Sequence, residues 1–454
     1  MIQKVYVKNI EELAFEVKGP GPIFFIGAST STVIPYDSDN LESKIGASKV
    51  VDLSGVEKNI EYFNQGEDSF LRVSGGVSWL DLKKFCEEHN LLMLTSPTEE
   101  NALVLSGLAT SATGERCFGF GTLRDQVYSL AYLNSRGERK LLSSKKKLID
   151  TMPSYSLKTL KNYQDDFERS YLGFKNGAYP RMKNETDLLI GTEGQLGVII
   201  EADIAVKARK ESTFVFIELP KWEINDLLHL KISDWAQTQR SRSMVCELID
   251  SNSLSVLPES EKPIESIDSD LVFFEVEESL VEDFYSELIS SIPKLNKDKI
   301  FMMDQAKCHQ LRMAIPRYTF ERNSQMGVQK KGTDVQVTSN SFKELLSLYR
   351  DFSNKGISYN LFGHFGDCHL HFNFFPKPSE QELCDKLLEG LYSEIKTLGG
   401  SPFAEHGVGL FKKRFIRQFY GNSQLEMFSL LKKEFDPENK FFPGGFMNIG
   451  MGTG

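Results

Sequence analysis

The chain has few residues that bind clusters or nucleic acids, and each shortage excludes something. Its six cysteines, at 86, 117, 246, 308, 368 and 384, never form a CxxC pair. An iron–sulfur cluster or an all-cysteine zinc site therefore has no ligand set, and scattered thiols suit a reducing compartment. The net charge is −10 and there is no long basic block, which excludes a nucleic-acid binder that works by displacing counterions. The short run Lys145-Lys146-Lys147 reads as a solvated loop. No uncharged stretch reaches the ~18 residues a bilayer span needs. The N-terminal MIQKVYVKNIEELAF has no apolar signal core followed by a cleavage site. A soluble, cytoplasmic protein is expected, and peripheral contact with the inner face of a membrane is compatible with that. Neither GxGxxG nor the P-loop lysine pattern occurs.

What is present is a large apolar supply. With 454 residues, 33 Phe and 15 Tyr, the chain can build two or three domains at ~150 residues each. The first third alternates short strands and helices: PIFFI (22–26), KVVDL (49–53) and Phe70 to Val73 are strands, and Trp79 to His89 has helical spacing. Residues 139–185 read as an irregular excursion, and 186–206 as a strand, a glycine turn and a second strand. From about 212, TFVFIEL, MVCELID and DLVFFEVEE look like strands of an antiparallel sheet with helices between them. Residues 342–356 form a helix, and a last helix ends at Asp436-Pro437.

Three stretches can carry chemistry. In GHFGDCHLHFNFF (363–375), His369, His371 and Asn373 share one strand face and Leu370, Phe372 and Phe374 the other. A turn before the strand lets His364 fold back toward His371. Metal ligation suits this polar row, as does a hydrogen-bonded polar strand near the surface. In AEHGVG (404–409), Glu405 can complete a two-histidine, one-carboxylate set and leave His406 as a base; a helix start fits equally. Finally, the small-residue turns at 27–31, 105–114 and 191–197 each read singly as ordinary loops, and together suit a dinucleotide pyrophosphate, to which their backbone N–H groups can donate.

Together these segments give the chain a resemblance to the FAD-linked oxidases of the vanillyl-alcohol oxidase (PCMH) type, within them to the group of D-lactate dehydrogenase, D-2-hydroxyglutarate dehydrogenase and the glycolate oxidase D-subunit. The residues that carry it are GASTS (27–31), SGLATSATG (106–114), FGTLRDQV (120–127), GTEGQLGVIIEA (191–202), GHFGDCHLHFN (363–373), EHGVG (405–409) and DPENKFFPGG (436–445). The resemblance implies an α+β fold. A two-subdomain FAD-binding domain would span 1–206, an α+β cap with an antiparallel sheet 207–409, and a tail, 410–454, would return to the FAD domain.

It also implies roles. Non-covalent FAD would lie against Gly27, Ala28, Ser29, Thr30, Ser31, Pro97, Gly107, Ala109, Thr110, Ser111, Gly114, Gly121, Thr122, Glu193, Gly194, Gly197 and Ile199. His364, His371 and Glu405 would hold a divalent metal, with Zn²⁺ the default and Mn²⁺ or Fe²⁺ also fitting. His406 would be the catalytic base, and Arg312, Lys331, Asn373 and His369 would contact substrate. Lys331 sits one place off the family pattern. The activity implied is oxidation of a D-2-hydroxy acid to the 2-oxo acid, with a quinone, an electron-transfer flavoprotein or a cytochrome as electron acceptor; a homodimer is compatible. A sugar or aldonolactone oxidase on the same fold, and a non-catalytic flavin-binding electron-transfer subunit, are the alternatives. The chain departs from the family in having Ala28-Ser29 for two glycines and Cys368-His369 for Gly-Asn, which adds a third imidazole, so that His369 would be an extra metal ligand or a substrate contact.

Overall fold

A computed structural model describes residues 3–36, 40–175, 181–266 and 268–450. It divides into two units, one made of residues 1–113, 121–209 and 405–454, the other of 114–120 and 210–404.

In the first unit, two sheets account for most strand residues. The apolar runs IFFI and KVVD form a parallel sheet in the order Gln3–Tyr6, Lys49–Asp52, Ile23–Ile26. A continuous apolar run is what a parallel strand covered on both faces requires. Ile23 and Val51 pack with Leu13 and Val17 of the helix Ile10–Lys18 and with Phe441. That helix begins where the Asn9 side chain accepts the Glu12 N–H, satisfying one of its open donors. The second sheet is antiparallel. Its strands follow in the order Asn59–Gln65, Asp68–Ser74, Val198–Ala208, Val127–Leu133, Arg139–Ser143, and Leu91–Met93 also pairs with Val198–Ala208. The C-terminal segment rejoins this unit: the Phe442 N–H donates to the Ile23 carbonyl, and the Ile23 N–H to the Lys440 carbonyl. The buried Lys432 ammonium donates to the Gln195 carbonyl, Asp436 Oδ2 and the Phe441 carbonyl at 2.9, 2.7 and 2.5 Å. Three acceptors satisfy its three donors.

Local expectations need correcting here. The stretch 139–185 is not irregular throughout: it contains the strand Arg139–Ser143 and the fourteen-residue helix Leu157–Ser170. Leu160, Tyr163 and Phe167 bury one face of that helix, and Tyr163 meets Phe428 of the helix Asn422–Phe435 edge-on. Abundant Lys, Asn and Asp on its other face hid the period. Residues 185–188 form a 3₁₀ turn rather than a strand, because the Asp187 carboxylate accepts the N–H groups of Lys183 and Asn184 and caps it. The unit boundaries fall at 209/210 and 404/405 rather than 206/207 and 409/410. Residues 114–120 also belong to the second unit: Arg116 there makes two hydrogen bonds to the Glu275 carboxylate.

The second unit is built on a seven-stranded antiparallel sheet. Its order is Ile300–Met303, Ser212–Pro220, Ser269–Glu277, Ser243–Ile249, Tyr359–His364, His369–Phe374, Val335–Gln336. Leu370, Phe372 and Phe374 are fully buried, each worth roughly 1.5–3 kcal/mol. Phe372 is stacked against Tyr349 of the helix Phe342–Ser353 and against Tyr359. That apolar face fixes the register of the strand and turns the histidines to the opposite side.

Among the described residues no helix is long and apolar enough to cross a membrane.

Candidate active site

The second unit holds the histidine cluster. The hairpin Tyr359–His364/His369–Phe374 sets His364 directly across from His369 and Phe362 across from His371. The ring centroids of His369 and His371 are 4.7 Å apart, those of His364 and His369 4.9 Å, and those of His364 and His371 5.9 Å. His369 is wholly buried, and His364 and His371 nearly so. Each ring is pinned by an acceptor on one nitrogen. His364 Nδ1 lies 2.7 Å from Glu247 Oε1, His369 Nε2 3.0 Å from Asp334 Oδ1, and His371 Nδ1 3.0 Å from the Thr333 carbonyl oxygen. A histidine whose outer nitrogen donates to a carboxylate or carbonyl carries its lone pair on the other nitrogen, the arrangement of metal-ligating imidazoles. Asp334, His369 and His371 each offer a ligand atom within 4.8 Å of the others'. His364 stands beside this group, not within it. Ala404 donates its N–H to the Asp334 carbonyl at 3.3 Å.

The neighbouring strand decides which cations face the cluster. Val335 pairs with Leu370, Gln336 with His369, and Lys331 bridges to Phe374. This single register sets Gly332 opposite Asn373 and Asp334 opposite His371. Lys331 thus shares the Phe374 side, and its ammonium reaches Asp385 at 2.6 Å. Lys330, one residue earlier, takes the side of Asn373. A Cβ on Gly332 would stand 3.1 Å from Asn373 Oδ1 and 3.7 Å from Lys330 Cε, so the glycine keeps the space between those two side chains open. Solvent reaches Lys330, yet the protein around it desolvates the ammonium and lowers its pKa. Arg312, on the helix Gln305–Met326, is ion-paired to the buried Glu115.

The first unit carries a partly open cleft. Of the expected FAD residues, Gly27, Ser31, Ala109, Thr110, Glu193, Gly194, Gly197 and Ile199 line it, together with Tyr36 and Ser106. Burial, and secondarily the Glu193 charge, push the Tyr36 hydroxyl up to about 12. Glycines and small residues share the lining with Phe24, Phe25 and Leu105, which fits a flavin dinucleotide. Ala28, Ser29, Thr30, Pro97, Ser111 and Gly114 are not among the lining residues. Gly107 instead packs on the Trp79 indole. Gly121, with φ +77°, leads into the capping box of Thr122 and Asp125.

Glu193 reaches from this cleft to the EHGVG turn. Its buried carboxylate accepts the N–H of Val408 at 2.6 Å and that of Gly409 at 3.0 Å. Burial raises its pKa, and the two amides pull it back. Glu405 accepts a hydrogen bond from the Thr113 hydroxyl. His406 Nε2 lies 3.8 Å from Glu405 Oε1, and its ring is about one-third exposed.

Asp334, Glu247, Glu115 and Lys330 were not picked out in the sequence. A carboxylate inside the apolar run MVCELID was a usable signal for Glu247, because lone acids are seldom buried without a partner. Asp334 and Lys330 depend on a register that pairs residues nearly forty positions apart.

Comparison with known proteins agrees with this architecture. Residues 5–143 match the family described as FAD binding domain, and residues 236–445 match FAD linked oxidases, C-terminal domain. The cytochrome-type mitochondrial D-lactate dehydrogenase of Kluyveromyces lactis is 22% identical over 92% of this chain and 69% of its own length. Its Saccharomyces cerevisiae counterpart is 21% identical over 89% and 65%, so the chain spans about two thirds of these relatives. The D-2-hydroxyglutarate dehydrogenase of Haemophilus influenzae is 23% identical over 87% of this chain and 43% of its own length. Among solved structures, an alkyldihydroxyacetonephosphate synthase superposes with a TM-score of 0.64 at 14% identity, covering 97% of this chain and 76% of the other, a likeness of fold. With a flavin-type cleft, an antiparallel-sheet second unit and both family domains in order, the chain belongs to the FAD-linked oxidases of the PCMH type.

Proposed function

We propose that the protein oxidises a D-2-hydroxy acid to the 2-oxo acid with FAD and a divalent cation. The observation that carries this reading is the trio of buried imidazoles, each pinned on one nitrogen, on a strand that also presents Asn373. The relatives named for D-lactate and D-2-hydroxyglutarate support the same substrate class.

His364, His371 and Glu405 would hold the cation, and the first-unit cleft the flavin. The chemistry these groups supply when bound is acceptance of the α-carbon hydride by the flavin and polarisation of the substrate hydroxyl by the cation. The chain's own residues bind, orient and move the proton. His406, next to Glu405, takes the hydroxyl proton at an imidazole nitrogen. The Arg312 guanidinium receives the substrate carboxylate, with Glu115 fixing its orientation. Asn373 donates to a substrate oxygen. Lys330, rather than Lys331, supplies the second cation, because Asp385 holds Lys331 on the other face. Zn²⁺ suits the imidazole and carboxylate donors, with Mn²⁺ or Fe²⁺ also compatible. A quinone, an electron-transfer flavoprotein or a cytochrome would reoxidise the flavin.

The test is anaerobic bleaching of the flavin spectrum with D-lactate, D-2-hydroxyglutarate and D-malate and their L-isomers. One D-acid should bleach the wild type, and His406→Asn should slow that bleaching at least 100-fold while flavin stays bound. Full-rate bleaching in the variant would remove His406 as base. No bleaching of the wild type by any of these acids would remove the substrate class.

A further inference from the structure

We infer that His369 is itself a metal ligand, through Nδ1, with Asp334 as the carboxylate that fixes its ring. This rests on the metal-assisted reading above and changes its ligand set. The resembling family has Gly-Asn where this chain has Cys368-His369, so the extra imidazole is a property of this sequence.

Three observations point the same way. His369 Nε2 lies 3.0 Å from Asp334 Oδ1; with a carboxylate as acceptor, that nitrogen carries the proton and Nδ1 carries the lone pair. A ligand atom of His369 falls within 4.8 Å of one of His371, a spacing that one ion can bridge. All three groups are deeply buried, and burying imidazoles and a carboxylate together is costly unless hydrogen bonds or a cation compensate. A structural explanation of the dyad, as a buried hydrogen bond alone, accounts for the first observation but not for the convergence with His371. The backbone adds support. Cys368 adopts φ +51°, the left-handed conformation that favours glycine, in the turn immediately before His369. The site this predicts is richer in nitrogen than a two-histidine, one-carboxylate set, and so favours Zn²⁺ or Co²⁺ over Mn²⁺.

The experiment uses the full chain with FAD. Metal-stripped wild type, His369→Asn, Asp334→Asn and His364→Asn are titrated with Zn²⁺ against a competing chelator and with Co²⁺ by visible absorption, and each variant is checked for flavin binding and thermal melting. His369→Asn, which restores the family residue, should bind Zn²⁺ at least 10-fold more weakly and shift the Co²⁺ bands. Asp334→Asn should lose about 10- to 100-fold, as expected when an outer partner of a ligating histidine is removed. Wild-type affinity and an unchanged Co²⁺ spectrum in His369→Asn would overturn the inference while leaving the metal-assisted reading intact. If His369→Asn does not fold, Asp334→Asn decides: unaltered Zn²⁺ affinity and Co²⁺ bands overturn it. A wild type that binds neither ion overturns both the inference and the metal part of the proposed function, and flavin bleaching then tests the substrate class separately.

Discussion

The Glu193 carboxylate accepts the Val408 N–H at 2.6 Å, tying the glutamate of GTEG to the turn that carries Glu405 and His406. A Cβ on Gly407 would stand 2.6 Å from Glu193 Oε1, at a backbone φ of +79°. Gly407→Ala should therefore lose about 1–2 kcal/mol from the left-handed backbone alone, plus the displacement of Glu193. Glu193→Ala leaves two amides without their acceptor, at about 1–3 kcal/mol. Urea unfolding with flavin fluorescence checks both, and each variant should also release FAD more readily than wild type. Unchanged stability in both would show that the turn is held by other contacts.

The two adjacent lysines make a clean contrast. Lys330→Ala should raise KM for the hydroxy acid about 10-fold with little change in kcat, the loss of one charge-assisted contact. Lys331→Ala breaks a partly exposed pair with Asp385, worth roughly 0–1 kcal/mol, and a long hydrogen bond to the Gln381 carbonyl, and should leave KM near wild type. Steady-state kinetics decides, and the reverse ranking would return the second cationic contact to Lys331.

Ser29 is exposed and adopts φ +55° in the GASTS turn. An L-residue there costs about 1–2 kcal/mol, and glycine returns about 0.5–1 kcal/mol of that as unfolded-chain entropy. Ser29→Gly should stabilise the protein by about 0.5–1 kcal/mol, read as a rise in melting temperature. A lower melting temperature would show that the serine side chain makes a contact worth more than the backbone strain.

Asp250 is fully buried beside Asp270, and burial, then the Asp270 charge, push its carboxyl well above the usual range. The folded state therefore keeps a proton that the unfolded chain gives up above about pH 4. The associated stability is complete below that pH and is lost as pH rises through the folded pKa. Asp250→Asn preserves an oxygen for the Ser253 N–H and cannot ionise. Its stability should depend less on pH above about 4, and gain on the wild type as pH rises. Parallel pH–stability curves for the two proteins would show that Asp250 ionises freely when folded.

The sequence by itself determined the period of the strands, the order of the family segments and the face of the histidine strand. These are local: alternation in HLHFNFF, apolar runs in IFFI and KVVD, and turn residues at fixed places are legible over a few positions. It also allowed His364 to fold back toward His371, because a tight turn precedes the strand. Only tertiary structure decided what pins each ring. Glu247, Asp334 and the Thr333 carbonyl come from a strand and a strand-flanking segment far along the chain, and a one-residue step in register exchanges the faces of Lys330 and Lys331. The helix Leu157–Ser170 was hidden for a similar reason: polar residues dominate its sequence, and its narrow apolar stripe finds a purpose only where Phe428 packs against it. Period is a property of neighbours in sequence; pairing partners, and with them the chemistry of the site, are a property of neighbours in space.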